Sequence, residues 1–321
     1  MWFRSTLVLC LVITNQAHAG PAAAAANALK QLDYRYFIAG GVCAATSHGI
    51  TTPMDVVKTR MQASPDVYNN GIVDATVSII KENGPSALLG GLGPTVVGYG
   101  IEGAMKFGIY EVLKSVFAHM MGGSDSNNKS VAYIAASVVA GAVASAFLCP
   151  MESTRIRVVT SKDYADNQGL LTALPKLVRE EGIVSLFGGM YAMLAKQIPY
   201  TMAKQVSFDV FAGYLYTYFG STSLPGDTIK WLVSITAAFI ASIFACIFSQ
   251  PGDMILTETY KGASTNSFSE IVSSIYQRNG IPSFFTGTGA RILHVGMIIT
   301  SQLVIYDIVK QLLGLPATGS H

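Results

Sequence analysis

Long apolar stretches alternate with short polar ones over nearly the whole of this 321-residue chain. Each apolar stretch is near the ~20 residues that a membrane-spanning helix needs. None shows the strict alternation of apolar and polar residues that marks a barrel strand. The pattern therefore predicts an all-α membrane protein with six transmembrane helices. These cover roughly residues 35–53, 88–116, 131–150, 187–218, 229–251 and 286–313.

A short amphipathic helix is predicted between the two spans of each pair. Each of these helices ends at a glycine, and Gly84, Gly182 and Gly280 follow one another at steps of 98 residues (182−84 and 280−182). Glycine after an amphipathic run is typical of a helix C-cap. Regular spacing of this kind indicates internal repeats. The predicted units are a leader, 1–32, and three repeats related by a pseudo-threefold axis, 33–122, 123–222 and 223–316.

A proline followed two residues later by a carboxylate ends each odd-numbered span. The prolines are Pro53, Pro150 and Pro251, and their steps of 97 and 101 residues (150−53 and 251−150) match the repeat. Proline kinks a helix because it lacks a backbone N–H and its ring crowds the preceding turn. The motif predicts three kinked helices whose charged ends meet around the pseudo-threefold axis.

Composition supports a membrane protein and excludes several other classes. Half of the residues are hydrophobic and 12% are charged, against about 25% charged in ordinary globular chains. The mean hydropathy is +0.42, and a net charge of +2 indicates no nucleic-acid partner. We find no nucleophile–base pair and no metal-ligand spacing, so neither an enzyme nor a cofactor is predicted. The cysteines lie in apolar runs without a CxxC pair, which disfavours disulfides and zinc: Cys10, Cys43, Cys149 and Cys246.

Residues 1–32 form a separate leader. Arg4 precedes a short apolar run, and Ala17-His18-Ala19 before Gly20 fits a small-residue cleavage site, which is the form of a secretory signal. The absence of an acid before Asp33 also suits an organelle transit segment. The leader thus favours an organellar or secretory address without choosing between them, and its cleavage stays open.

The motifs together carry a resemblance to a known family. Pro53-x-Asp55-x-x-Lys58-x-Arg60-x-Gln62 is close to the full signature of the mitochondrial carrier family, and the chain resembles that family over residues 35–313. Within it, the chain is most similar to the phosphate carriers. That narrower likeness lies in Ser47-His48, Gly98-Tyr99, Lys106-Phe107-Gly108, Tyr110-Glu111, Gln197-Ile198-Pro199-Tyr200-Thr201-Met202, Lys204, Ala290-Arg291, Gln302 and Tyr306-Asp307.

The resemblance implies a six-helix carrier that alternates its access between two faces of a membrane. Such a phosphate carrier moves inorganic phosphate with a proton, or in exchange for hydroxide, across the mitochondrial inner membrane. A plastid or another endomembrane is the alternative, because the leader looks like a signal. The resemblance also implies a monomer, with membrane lipid such as cardiolipin as a partner.

The charged residues of the proline motifs form a candidate gate on the matrix side. On a helix, acid and base three positions apart point to one side. By family analogy the pairs are Asp55 with Arg155, and Asp253 with Lys58. Glu152 faces Leu256 and is expected to lack a partner, which gives a gate of two ion pairs. The alternative is that these charges anchor helix ends at the membrane interface.

A second ring of charges lies at the opposite ends of the even-numbered spans. Its aromatic-acid-x-x-base pattern resembles the cytoplasmic gate of the family. Phe208-Asp209 lacks the base, since Ala212 follows, so this gate is incomplete. Taken singly, each pair also reads as an ordinary surface salt bridge. The candidate residues are Glu111, Lys114, Asp209, Asp307 and Lys310.

Basic and amide side chains within the spans are candidates for binding phosphate. Ionisable residues inside a membrane are costly and usually functional. Arg291 is the strongest candidate, because a guanidinium binds phosphate oxygens with two parallel hydrogen bonds. Lys106 and Lys204 have the alternative of reaching the membrane surface. The other candidates are Lys196, Gln197 and Gln302.

Two residues are candidates for proton coupling. His48 lies two helical turns before Asp55, on the same face, and histidine titrates near neutral pH; a purely structural histidine is the alternative. Glu102 stands where phosphate carriers usually have glutamine, four residues before Lys106. The family's third span carries two acids that are implicated in proton handling, but this chain has Gly141 and Ser145 at those positions.

These departures keep other functions open. One is a related carrier with a changed substrate or without proton coupling. Another is a degenerate carrier that serves as a membrane scaffold or sensor, which the two incomplete gates and the missing acids suggest.

Overall fold

The computed structural model describes residues 33–121, 126–161, 164, 169–219, 226–261 and 267–314. These residues are almost wholly helical and contain no strand, in agreement with the predicted all-α fold. The leader, with Cys10, lies outside the described residues. The three other cysteines are buried free thiols.

Ten α-helices make up the described chain. They are α1 (Tyr34–Ile50), α2 (Thr52–Ala63), α3 (Ile72–Asn83), α4 (Leu92–Met120), α5 (Ser126–Thr160), α6 (Leu170–Glu181), α7 (Met190–Phe219), α8 (Gly226–Tyr260), α9 (Phe268–Asn279) and α10 (Thr288–Leu312). Short 3-10 helices precede the even-numbered spans at Pro85–Leu89, Ile183–Phe187 and Ile281–Phe285.

The motif prolines do not end their helices in the second and third repeats. Helix α5 continues through Pro150 and α8 continues through Pro251. In the first repeat the helix is interrupted at Thr51, between α1 and α2. Pro53 lies in the first turn of α2, where a backbone N–H would have no partner within the helix, so its absence costs no hydrogen bond. All three carboxylates therefore project from helical backbone that extends well beyond the predicted span.

Two helical stretches of the described chain are long and apolar enough to cross a membrane when judged singly, Val131–Thr160 and Trp231–Tyr260. Helix α1 has only 17 residues. Helices α4, α7 and α10 carry ionisable residues along their length, which lowers their apolar character. Charge inside a span is tolerated when it faces a protein-lined cavity, and the cavity described below meets that condition.

The predicted amphipathic helices are α3, α6 and α9, one in each repeat. Their C-caps are the predicted glycines Gly84, Gly182 and Gly280, with φ of 78°, 81° and 65°. Each glycine N–H donates to the carbonyl four residues earlier. A side chain is strained at such φ, so glycine is required for the turn into the 3-10 helix.

Tyrosines close the polar loops of the first two repeats in the same way. Tyr68 donates to Glu82 over 3.1 Å, and Tyr164 donates to Glu180 over 2.7 Å. Burial and the neighbouring Glu180 carboxylate raise the pKa of the Tyr164 phenol. The phenol therefore stays protonated at neutral pH and keeps its donor. Each of these bonds joins the loop after an odd-numbered span to the amphipathic helix that follows.

Helices α1 and α4 pack backbone to backbone through glycine. A Cβ added to Gly103 would lie 2.5 Å from Ala44 Cβ and 2.6 Å from the Gly40 carbonyl oxygen. Small residues permit this approach, which brings two helices of a membrane bundle into close van der Waals contact.

A glycine-to-alanine comparison tests this contact. Gly103→Ala is expected to lower stability by about 1–3 kcal/mol, because the added methyl group overlaps backbone that cannot move freely. Gly213→Ala is the matched control, since its methyl group meets no neighbouring heavy atom within 4 Å and alanine favours helix by about 0.5–1 kcal/mol. Melting temperatures in detergent measure both. Equal melting temperatures would contradict the packing.

Candidate functional site

A cavity of about 320 Å³ lies between the spans, within the size range of small-molecule sites. Helices α1, α2, α4, α5, α7, α8 and α10 all contribute to its lining. Every residue predicted for substrate binding or proton coupling lines it. These are His48, Glu102, Lys106, Lys196, Gln197, Lys204, Arg291 and Gln302.

A buried charge network lies at one end of this cavity, and we call this network the floor. Its members are Asp55, Lys58, Glu152, Arg155, Lys196, Asp253 and Arg291. Lys58 Nζ lies 3.0 Å from Asp253 Oδ2, and Arg155 Nη1 contacts Asp55 Oδ2. These are the two pairs expected from the family. Lys58 also lies 3.5 Å from Asp55 on its own helix. The four side chains are at most 6% exposed, so the paired charges compensate one another out of contact with water.

The expectation that Glu152 lacks a partner is wrong. Arg155 donates to both of its carboxylate oxygens over 2.9 and 2.8 Å. The Tyr99 hydroxyl lies 3.4 Å from Oε2, and Lys196 Nζ lies 3.5 Å from Oε1. A buried carboxylate without such partners would be costly. Arg155 therefore serves two acids, one on its own helix and one on α2.

Lys196 supplies the cation that the third motif lacks. Its Nζ lies 3.0 Å from Asp253 Oδ1, opposite the oxygen that takes Lys58. Leu256, at the position of the missing base, is buried in an apolar cluster and takes no part in the network. Sequence reasoning placed Lys196 in the binding site and missed its contacts with Glu152 and Asp253, because these join residues on three different helices.

Gly252 explains how Lys196 comes so close. A Cβ at Gly252 would lie 2.4 Å from the backbone nitrogen of Lys196 and 2.6 Å from the Ala195 carbonyl oxygen. The first two motifs have Met54 and Met151 at this position. The glycine in the third motif lets α8 contact the backbone of α7, which brings the lysine to the carboxylates.

Gln62 completes the lower part of the network. It donates to Asp253 Oδ2 over 2.9 Å and accepts from Thr257 over 3.1 Å. The signature motif contains Gln62, so the sequence carried a signal for this residue. Its buried amide joins α2 to α8 beside the Lys58–Asp253 pair.

Arg291 is less free than its candidate role suggested. Nη2 donates to Ser249 over 2.7 Å and Nη1 donates to Gln250 over 3.1 Å, while Nε lies 3.7 Å from Asp253. The side chain lines the cavity but is held by α8. Arg291 therefore belongs to the floor, and an anion in the cavity would compete with α8 for its guanidinium.

The upper part of the cavity carries different polar groups. Glu102 accepts from Lys106 over 3.3 Å, the pair that the sequence predicted. Gln197 Nε2 and Thr201 Oγ1 are buried and have no hydrogen-bond partner among the described residues. A Cβ at Gly141 would lie 3.3 and 3.5 Å from these two atoms. Unpaired buried donors are costly, so both atoms are available to a ligand.

Two histidines line the cavity beside the floor. The ring of His48 stacks on Tyr99 with a centroid separation of 3.6 Å and an angle of 6°. His294 lies with its ring centroid 6.4 Å from that of His48, and its Nδ1 is 3.5 Å from Asp55 Oδ1. His294 follows Arg291 by three residues, and from this spacing the sequence already indicated that it extends the site, with less weight than His48.

The cytoplasmic gate stays a prediction. The backbones of its residues lie in α4, α7 and α10. Lys114 Nζ lies 5.5 and 5.9 Å from the ring centroids of Tyr110 and Tyr133, which suits cation–π contacts. The remaining side chains lie outside the described part of the structure: Glu111, Asp209, Asp307 and Lys310.

Comparison with known families also finds three repeats. The sequence model of the family described as "Mitochondrial carrier protein" matches residues 32–121, 126–219 and 227–316. The chain belongs to the mitochondrial carrier family. Members of this family are transporters, and the chain is therefore a transporter rather than an enzyme.

Similar proteins cover most of the chain. "Mitochondrial substrate carrier family protein N" of Dictyostelium discoideum is 35% identical over 91% of this chain and 98% of its own length. "Mitochondrial phosphate carrier protein 2, mitochondrial" of Arabidopsis thaliana is 36% identical over 88% and 78%. "Solute carrier family 25 member 3" of Homo sapiens is 33% identical over 92% and 82%.

Charge exchange tests the Lys58–Asp253 pair. Lys58→Asp is expected to lower transport about tenfold or more, because it gathers acids in a buried site. Adding Asp253→Lys restores the pair and is expected to recover part of the activity. Recovery stays partial because the new lysine faces Lys196 and Arg291. Transport by the double variant no better than that of Lys58→Asp alone would argue against the pair.

Proposed function

We propose that the protein carries inorganic phosphate across the mitochondrial inner membrane by alternating access, together with a proton or in exchange for hydroxide. The observation that carries this proposal is that four of the basic side chains that line the cavity come from the even-numbered spans. They come from α4, α7 and α10, one even-numbered span from each repeat: Lys106, Lys196, Lys204 and Arg291. The names of the relatives from Arabidopsis thaliana and other organisms support the choice of phosphate.

Phosphate chemistry fits these groups. Phosphate at neutral pH is a mono- or dianion that accepts hydrogen bonds on all its oxygens. A guanidinium offers it two parallel donors, and an ammonium offers a compact charge. The unpartnered Gln197 Nε2 and Thr201 Oγ1 add neutral donors. A phosphate ion in the cavity would therefore meet donors from above and cations from the floor.

The same residues support a link between binding of phosphate and opening of the matrix gate. Asp253 is shared by Lys58, Lys196 and Arg291. Net stabilisation by buried ion pairs is small, because desolvation offsets most of the attraction. Phosphate that draws Arg291 and Lys196 away from Asp253 would weaken the ion pairs that hold α2, α5 and α8 together. The matrix gate opens, in this proposal, when the substrate takes over cations that the gate shares.

Proton coupling is assigned to Glu102 and His48. Both side chains line the cavity, and Glu102 is 8% exposed with Lys106 beside it. Lys106 Nζ lies 3.3 Å from Glu102 Oε1, so phosphate that engages this lysine would alter the surroundings of the carboxylate.

A second candidate function is phosphate transport without proton coupling. It is favoured by the missing acids on α5. Ser145 donates to the Gly141 carbonyl over 2.8 Å, so its hydroxyl hydrogen is used within the helix. Neither residue offers a titratable group. The two candidates differ in the response of transport to a pH gradient.

We further propose that residues 1–32 direct the protein to its membrane, that the repeats divide at 33–122, 123–222 and 223–316, and that the carrier is a monomer with cardiolipin among its lipids. The apolar outer faces of the spans suit lipid. Exposed hydrophobic side chains on these faces include Val97, Ile235, Phe248 and Leu293.

Uptake of labelled phosphate into liposomes tests the substrate. Wild-type protein is expected to catalyse uptake, and Arg291→Ala is expected to lower it about tenfold or more through loss of the bidentate donor. Arg278→Ala is the matched control, because Arg278 pairs with Glu258 outside the cavity. Melting temperatures check the fold of both variants. Wild-type rates in Arg291→Ala remove this residue from the site, and no uptake by wild type favours the degenerate carrier.

Glu102→Gln tests the proton site. Uptake driven by a pH gradient is expected to fall about tenfold, since the amide binds no proton, while phosphate–phosphate exchange stays within about twofold. Glu82→Gln is the control, because Glu82 lies on the exposed amphipathic helix. Unchanged gradient-driven uptake by Glu102→Gln would move the assignment to His48.

A further inference from the structure

His294 occupies the junction between the cavity and the matrix gate. It lies on α10 one helical turn after Arg291, lines the cavity and is 6% exposed. Burial of an imidazole is costly unless its nitrogens find partners. A buried histidine at this position therefore needs polar partners in the protein, or a ligand or proton that supplies them.

The two ring nitrogens of His294 have different surroundings. Nδ1 lies 3.5 Å from Asp55 Oδ1. Nε2 is buried and has no hydrogen-bond partner among the described residues. A neutral imidazole has one N–H and one lone pair. A proton on Nδ1 faces the carboxylate, and this tautomer leaves the lone pair on Nε2 free to accept a second proton.

Charged and titratable groups surround His294. The ring of His48 lies 6.4 Å away, centroid to centroid, and is nearly perpendicular. Asp55 and Lys58 on α2, Arg155 on α5 and Asp253 on α8 act on it electrostatically. The same network also contains Tyr99 on α4, Glu152 on α5, Lys196 on α7 and Arg291 on α10.

We propose that His294 binds the transported proton at the matrix gate and thereby adjusts the charge of the floor to phosphate. This rests on the proposed function and assigns a further residue to it. Of the three residues His48, Glu102 and His294, His294 is the one that contacts a carboxylate of the matrix gate, with Nδ1 3.5 Å from Asp55 Oδ1.

The proton step is simple and balanced. A hydronium ion in the cavity gives its proton to the Nε2 lone pair and leaves water. The ring becomes an imidazolium with one positive charge, and its Nδ1–H still faces Asp55. No covalent bond to phosphate forms. When the gate opens, Nε2 returns the proton to water on the other side.

Charge balance gives the reason for coupling. The floor has three carboxylates, Asp55, Glu152 and Asp253, and four cations, Lys58, Arg155, Lys196 and Arg291. Its formal charge is therefore +1 (4−3) with His294 neutral and +2 with His294 protonated. The imidazolium thus adds one positive charge beside the anion. Protonation of His294 and binding of the dianion each favour the other, because each compensates a charge that would otherwise be buried unpaired.

Two substitutions of His294 test the proposal in liposomes. Gln and Asn both remove the titratable ring, and Asn keeps an amide donor near the position of Nδ1. For both variants, uptake driven by a pH gradient is expected to fall about tenfold, and phosphate–phosphate exchange at fixed pH to stay within about twofold. The steep pH dependence of net uptake near neutral pH is expected to flatten. Leu293→Met, on the exposed side of α10, is the control.

The outcomes separate this inference from the proposed function. Gradient-driven uptake at the wild-type rate in a folded variant overturns the inference and leaves phosphate transport intact. Equal loss of both transport modes in a folded variant also overturns it, because His294 then serves binding or the gate alone. Absence of phosphate transport by wild type overturns the proposed function itself.

A measurement on wild-type protein covers the case in which both variants fail to fold. Carbon-13 labelled histidine reports ring protonation by NMR in lipid. The His294 signal is expected to shift with pH, and to shift at higher pH when phosphate is present, since the dianion favours the imidazolium. A signal that does not change between about pH 5 and 9 with phosphate present overturns the inference.

Discussion

The buried carboxylates of the three proline motifs are the constraint on which the rest of the site depends. Asp55, Glu152 and Asp253 are at most 4% exposed, and buried charge is tolerated only when it is paired. The three helices that carry them must therefore converge, and cations must reach them from every side. This requirement ties α2, α5 and α8 together and fixes the floor of the cavity.

The cations of the floor come from two sources. Lys58 and Arg155 belong to the same motifs as the acids. Lys196 and Arg291 come from the even-numbered spans, in α7 and α10, and also line the cavity. The same two side chains thus pair with the buried carboxylates and are open to an anion in the cavity. In the proposed mechanism, binding and gating therefore share residues.

Glycine sets how closely the helices approach. Gly103 lets α1 and α4 meet at the backbone, and Gly252 does the same for α7 and α8. The second contact has a chemical consequence, because it places Lys196 beside Asp253 and replaces the base that Leu256 cannot provide. The third motif departs from the first two at both positions, and the two departures compensate each other in space.

The sequence by itself determined the helices, the repeats and most of the residues in the cavity. Apolar length and regular spacing are local properties, and the capping glycines Gly84, Gly182 and Gly280 need only φ above zero. Beyond the two expected ion pairs, only the tertiary structure decided which side chains meet. Glu152 contacts Arg155 and Lys196, Arg291 donates hydrogen bonds to Ser249 and Gln250, and His294 lies beside Asp55. Apart from the Glu152–Arg155 pair, these contacts join residues far apart in the chain, and the contact of Lys196 depends on the close backbone approach at Gly252, which periodicity does not encode.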